Sequence, residues 1–124
     1  TPEQFFSQQP HEQKIVYNEE ERTLYYDEEH GYELKWLIPA SNEKEMEPVI
    51  ITFDKNGEYK TFDPSLSETF IYVIDGSIRL TLGEATYIAK KGQTMYYQAT
   101  EPHQISNNGR GKSRALIVAT ESYL

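Results

Sequence analysis

The three histidines are the first residues of this chain to consider for chemistry, because imidazole can bind a metal, move a proton or contact a ligand near neutral pH. His103 follows Pro102, which supports the turn that aims its side chain. His30 lies in an acidic stretch that predicts a solvent-exposed hairpin turn, and His11 belongs to no motif. We therefore predict His103 as the candidate, either as a ligand-facing donor or acceptor, or as a core or rim residue hydrogen-bonded by Tyr or Thr neighbours.

Other catalytic patterns are missing from the sequence. It has no Ser-His-Asp order, no phosphate loop, no zinc spacing and no basic aromatic platform. It has no cysteine, so it has neither a disulfide framework nor a thiolate site. Aromatic residues are abundant, and Trp36, Tyr72, Tyr96 and Tyr97 could line a cavity. More often such residues belong to a core or a subunit interface.

The elements that must position these side chains are strands. Short apolar runs alternate with turn residues, and no segment has a convincing helical period. The predicted strands are Lys14 to Tyr17, Leu24 to Tyr26, Tyr32 to Ile38, Val49 to Phe53, Phe70 to Ile74, Ile78 to Leu82, Thr86 to Ala89, Thr94 to Gln98, His103 to Ser106 and Arg114 to Thr120. Turns are predicted at Asn56-Gly57, Asp75-Gly76-Ser77 and Leu82-Gly83-Glu84. About ten strands at this spacing predict an all-β sandwich or barrel.

The run from Phe70 to Ile74 is apolar on both faces, whereas Ile78 to Leu82 alternates with polar residues. A strand that is apolar on both faces must be covered on both. The outer cover is most simply a second subunit, which predicts a homodimer, or the chain's own N-terminal strands. A central strand under a long loop is the alternative.

Two motifs of the cupin superfamily match the residues from Gly57 to Asn107. The first, G-x5-H-x-H-x3-E-x6-G, falls on Gly57, Asp63, Ser65, Thr69 and Gly76. The second, G-x5-P-x-G-x2-H-x3-N, falls on Gly92, Gln98, Thr100, His103 and Asn107. The chain thus resembles a cupin over at least residues 57–120. This resemblance implies a double-stranded β-helix, the cupin jelly-roll barrel, in which Asn107 ties a loop to the end of a strand.

The resemblance also implies a degenerate metal site. In the family, two His and one Glu of the first motif and one His of the second hold a metal inside the barrel. The corresponding residues here are Asp63, Ser65, Thr69 and His103. Hydroxyls are weak neutral ligands, and catalytic sites normally use about three protein ligands, so we expect no metal and no cofactor. Glu68 should point to the opposite face from Thr69 unless a bulge intervenes.

We expect the remaining cavity to bind a small molecule instead. The predicted ligand-binding residues are His103, Thr69, Asp63, Ser65, Trp36, Tyr72 and Tyr96.

Length and charge limit the possible partners. The 124 residues suffice for one domain, predicted as an N-terminal linker or arm at 1–13 and a cupin barrel at 14–124. The net charge of -8 would repel a phosphate backbone, so this chain alone should not bind nucleic acid. No apolar run approaches a membrane span and no charged-then-apolar leader precedes the domain, so a cytoplasmic location is expected.

Three functions from different classes remain open. Residues 14–18, 32–39 and 47–53 resemble the C-terminal sensor domain of XRE-type helix-turn-helix transcription regulators. That resemblance implies an effector that enters the barrel mouth and shifts the packing of a dimer. A stand-alone cupin enzyme (isomerase, epimerase or oxygenase) would need a metal or an acid/base pair such as His103 with Tyr72 or Tyr96. A structural dimerisation domain would fill its cavity with its own side chains.

Overall fold

The computed structural model describes residues 13–121 and 124, and within them the chain is built from strands. Nine strands and two short 3-10 helices, Glu19–Glu21 and Ser41–Glu43, form in these residues, and no α-helix does. The strands are β1 Thr23–Asp27, β2 Tyr32–Trp36, β3 Met46–Phe53, β4 Glu68–Asp75, β5 Ser77–Leu82, β6 Ala85–Lys90, β7 Thr94–Gln98, β8 His103–Asn107 and β9 Ser113–Thr120. None of the described helices is long and apolar enough to span a membrane.

Nine of the ten predicted strands are confirmed, and the first is wrong. Residues 13–18 lie outside any strand, with the side chains of Ile15 and Val16 70% and 75% exposed. Although these two residues are apolar, their segment forms no strand. Residues 1–12 of the predicted linker lie outside the described part of the chain, so that boundary stays a prediction.

The strands form two antiparallel sheets that face each other. The larger has the order β1-β2-β3-β9-β4-β7, and the smaller has the order β6-β5-β8. Alternate side chains of both sheets point inward, and residues such as Ile51, Ile71, Ile78 and Ile117 are at most 1% exposed. They form one apolar core between the sheets. The predicted all-β jelly-roll barrel is confirmed.

Strand β4 does not alternate in sequence because it carries apolar residues on both of its faces. Its inward residues Thr69, Ile71 and Val73 are at most 1% exposed. Its outward residues are also mostly apolar, and Tyr72 among them is 41% exposed. Strand β1 lies at the far edge of the sheet, four positions from β4, so it does not cover this face. Among the described residues no strand covers the outer face of β4.

The turn at Asn56-Gly57 is confirmed, but its glycine is needed for a different reason. Asn56 has a positive φ of 64°, as predicted for this turn. Gly57 has no positive φ, and a Cβ there would lie 2.1 Å from the carbonyl oxygen of Gly31. Gly57 therefore allows the turn after β3 to pack against the β1–β2 hairpin turn.

Candidate functional site

His103 begins strand β8 and points into the barrel, where it is 3% exposed. Its Nδ1 lies 2.9 Å from the carbonyl oxygen of Glu101. Because a carbonyl only accepts, Nδ1 is the donor in this hydrogen bond. The imidazole stacks on Phe62, with 5.3 Å between centroids, and meets the edge of Tyr97 at 5.8 Å. His103 therefore lies in the interior rather than at the rim, beside two aromatic rings.

The other three positions that correspond to metal ligands do not form a donor cluster with His103. Asp63 is exposed, and Ser65 is half-buried with its Oγ accepting the backbone N–H of Ser67 at 3.0 Å. Thr69 points inward and is 1% exposed, paired across the sheet with Tyr97. Within residues 13–121 and 124, no three His, Cys, Asp or Glu side chains form a group that could hold a metal. These residues do not fit a metal centre.

Glu68 does not replace the missing carboxylate. It pairs with Gln98 and its carboxylate accepts a hydrogen bond from the Tyr96 hydroxyl on the outer face. The irregularity of β4 lies between Val73 and Asp75, so no bulge turns Glu68 inward. The predicted outward direction of Glu68 is confirmed.

The predicted aromatic residues are separated by the alternation of side chains. Tyr72 follows the buried Ile71 and points to the outer face, so it does not join His103. Tyr96 likewise points outward, and its neighbour Tyr97 points inward. Trp36 lines a separate hollow at the β2–β3 side of the barrel. The structure therefore brings together only His103, Thr69 and, from the aromatic candidates, Tyr97.

Phe62 is a residue of this site that sequence reasoning missed. It lies one position before Asp63, and its ring packs against the core while the Asp63 side chain is exposed. Its backbone pairs with His103, with Phe62 N–H donating to the His103 carbonyl at 2.8 Å. The strand-like alternation of Phe62 and Asp63 was the available signal, since only one of two adjacent residues can face inward.

A groove of about 440 Å³ runs between strands β6 and β7. Each of these strands has a single strand partner in its sheet, so the two sheet edges leave a seam on this side of the barrel. Inward-facing Leu80, Met95 and Tyr97 line the groove, together with Ile88 and Tyr96. Since Tyr97 also touches His103, the groove connects to the interior cluster.

Asn107 anchors the loop that precedes the last strand, as predicted. Its Nδ2 donates to the carbonyls of Asp54 and Gly111 at 2.9 and 2.7 Å. Its Oδ1 accepts the Gly109 N–H at 2.7 Å and the Ser113 hydroxyl at 2.8 Å. The buried amide is fully used in holding two chain segments together, and it has no free group for a ligand.

The sequence model of the cupin domain family matches residues 50–119, more than half of the chain. The chain belongs to the cupin family. None of the curated proteins matches this cupin by sequence. Its fold does match solved structures at low identity.

Two of these structures come from transcriptional regulators. The Cupin_2 domain of an XRE family transcriptional regulator from Enterobacter cloacae aligns with a TM-score of 0.64 and 13% identity, covering 73% of this cupin and 96% of that chain. An HTH_3 family transcriptional regulator from Vibrio cholerae aligns with a TM-score of 0.67 and 16% identity, covering 82% of this cupin and 56% of that chain. This cupin therefore spans little more than half of the Vibrio chain.

A third structure is FeII HppE. It aligns with a TM-score of 0.70 and 17% identity, covering 86% of this cupin and 60% of that chain. At these identities the likeness concerns the fold. The fold therefore occurs in regulators and in an enzyme, and the function must be argued from the residues of this chain.

Proposed function

We propose that this cupin is the effector-binding and dimerisation domain of a cytoplasmic transcription regulator, with DNA read by another part of the gene product. The observation that carries the proposal is the groove between β6 and β7. Its volume of about 440 Å³ lies in the range of small-molecule sites, roughly 300–1,000 Å³, and far exceeds the roughly 30 Å³ of a water molecule. A structural domain whose cavity is filled by its own side chains would have no groove of this size.

The chemistry of the groove favours an apolar or aromatic effector. Leu80, Leu82, Ile88 and Met95 supply apolar walls, and tyrosine rings supply flat surfaces with polar tips. The effector would reach Tyr97 and, through that ring, the His103 and Thr69 cluster. Asp63 is exposed, Ser65 accepts a backbone hydrogen bond and Trp36 lines another hollow, and none of the three lines the groove. We retain His103, Thr69 and Tyr96 as its candidates.

The larger sheet offers a path from the groove to a dimer interface. Strand β7 forms one wall of the groove and pairs with β4, whose outer face carries Phe70 and Tyr72. On the same face, Val118 pairs with Phe70, and Leu116 pairs with Tyr72. We infer that two copies pack through this apolar face and that the effector biases their packing by shifting β7 against β4.

An enzyme such as HppE is the alternative for this fold. It requires either the donors that the family uses for its metal or an acid/base pair such as His103 with Tyr72 or Tyr96. Three of the metal positions hold an exposed carboxylate and two hydroxyls, and both tyrosines point to the outer face, away from buried His103. The Vibrio regulator and the Enterobacter regulator domain support the proposed function by fold alone. Near-stoichiometric iron, manganese, nickel or zinc in the purified protein would revive the enzyme hypothesis.

A groove-filling variant tests the effector site. Thr94 lines the groove, whereas Gln98, on the same strand and the same outer face, does not. Native mass spectrometry of protein purified gently from its own cells should show a bound small molecule in the wild type and in Gln98→Trp. Thr94→Trp should lose it. A ligand retained by Thr94→Trp, or none in the wild type, would contradict the proposal.

The regulatory role is tested in the full-length gene product. Promoter occupancy should change when the recovered ligand is added to the wild type and to Gln98→Trp, and it should not change in Thr94→Trp. Equal responses of the two variants would argue against coupling through the groove.

A further inference from the structure

Glu47 is a buried carboxylate with no cationic partner among the described residues. It lies on the inner face of β3 and is 5% exposed. Its Oε2 accepts the indole N–H of Trp36 at 3.0 Å and the hydroxyl of Ser41 at 3.3 Å. Its Oε1 accepts the backbone N–H of Leu124 at 3.2 Å. All three donors are neutral, and a buried ionised carboxylate is unfavourable unless a cation accompanies it.

Glu47 also lines a hollow on this side of the barrel. This hollow has a volume of about 270 Å³. The lining residues are Thr23, Trp36, Ile38, Ala40, Ser41 and Glu47. No lysine or arginine is among them, so the only formal charge in the lining is negative. The volume exceeds that of several water molecules, at roughly 30 Å³ each, and can admit a small organic group.

We propose that this hollow binds the ammonium group of a small organic cation, with Glu47 as its counter-ion and Trp36 as an aromatic wall. A carboxylate offers about four acceptor positions, and donors in the described part of the chain use three of them, which leaves one on Oε1 for an ammonium N–H. An indole attracts a cation that lies over its ring. The net charge of -8 further favours positively charged ligands.

The geometry favours an ammonium over other cations. A guanidinium binds a carboxylate through two parallel bonds, and Oε2 of Glu47 already accepts two hydrogen bonds. Calcium needs six or more oxygen ligands and magnesium a near-ideal octahedron, and this lining supplies a single carboxylate.

This site is distinct from the groove of the proposed function. The hollow lies where β1, β2 and β3 meet, whereas the groove lies between β6 and β7. The two sites share no lining residue, and the cation site does not depend on a regulatory role.

The single tryptophan of the chain gives a direct test, because the protein has one indole N–H and that group bonds to Glu47. In a 1H–15N spectrum of the protein, the indole peak should shift saturably with n-propylammonium. It should not shift with propan-1-ol, which matches the probe in size but is neutral. Equal shifts with both probes, or no saturable shift at millimolar propylammonium, would overturn the proposal.

Two variants separate the counter-ion from general charge. Glu47→Gln keeps the shape and removes the buried charge, and it should weaken propylammonium binding at least tenfold. Glu45→Gln removes an exposed charge two residues away and should bind as the wild type does. Unchanged affinity in a folded Glu47→Gln would refute the site. If Glu47→Gln does not fold, the comparison of the two probes on the wild type decides alone.

Failure of this proposal can be told apart from failure of the effector groove. Thr94→Trp fills the groove and should leave the response of the indole peak to propylammonium intact.

Discussion

The imidazole of His103 lies nearly parallel to the ring of Phe62, with 18° between their planes and 5.3 Å between their centroids. The two residues also pair through their backbones, since His103 N–H donates to the Phe62 carbonyl at 3.1 Å. Phe62 precedes Asp63, so the inward place on this segment is taken by an apolar ring and the carboxylate faces solvent. This arrangement keeps the Asp63 carboxylate, at one of the family's ligand positions, out of the interior beside His103.

Removing the Phe62 ring should open space beside His103. Phe62 is partly buried, so Phe62→Ala should lower the free energy of unfolding by about 2 kcal/mol, less than the cost for a fully buried Phe. Phe62→Leu keeps most of the volume and should cost less than about 1 kcal/mol. Urea denaturation measures both. Equal losses for Ala and Leu would mean that stacking, rather than volume, holds the ring in place.

Tyr72 is predicted to lie in the dimer interface. A charge at the centre of the apolar outer face should be buried without a partner, so Tyr72→Glu should raise the dimer dissociation constant at least about 30-fold. Sedimentation velocity over a concentration series measures this change. Thr86→Glu, exposed on the smaller sheet, is the matched control and should sediment as the wild type does. A wild-type monomer at all concentrations would contradict the interface.

Gly57 is predicted to tolerate no side chain. An alanine Cβ would lie 2.1 Å from the Gly31 carbonyl oxygen, a backbone atom, so the two backbone segments would have to separate. Gly57→Ala should destabilise the fold by about 3 kcal/mol in urea denaturation. Gly111 offers the matched control, because a Cβ there has no atom within 4 Å. Gly111→Ala should change stability by no more than about 0.5 kcal/mol.

The pair of His30 and Asp27 should make the β1–β2 turn sensitive to pH. The imidazole Nδ1 lies 2.9 Å from the Asp27 carboxylate, and this hydrogen bond, with the carboxylate charge, raises the pKa of His30 above its ordinary value. The pKa of Asp27 is lowered, first by the His30 backbone N–H and then by the His30 ring. NMR titration of His30 should show the raised pKa, and Asp27→Asn should lower it.

The signs of these two shifts define a pH window. The raised His30 pKa stabilises the fold below about pH 6.5, and that contribution is lost as the pH rises through the folded pKa. The lowered Asp27 pKa stabilises it above about pH 3.9, and that contribution is lost as the pH falls through the folded value. Glu28→Gln is the control and should leave the His30 titration nearly unchanged. A His30 pKa that survives Asp27→Asn would refute the pairing.

The sequence by itself determined the fold and the points where the chain turns. Alternating and doubly apolar runs predicted the strands of both sheets, because inward and outward side chains follow a period of two. Motif spacing indicated the inward position of His103 and the structural role of Asn107. Spacing also predicted the outward direction of Glu68. These are local properties, set by neighbours along one strand or one turn.

The tertiary structure alone decided which side chains share a site. Tyr72 and Tyr96 lie on the outer face because each is one residue from an inward-facing neighbour. Phe62, not Asp63, packs against the core. Trp36 forms a hydrogen bond with Glu47, eleven residues further along the chain. A seam lies between β6 and β7, which do not pair. Such contacts depend on strand order and register between distant segments, which the spacing of residues along the chain does not encode.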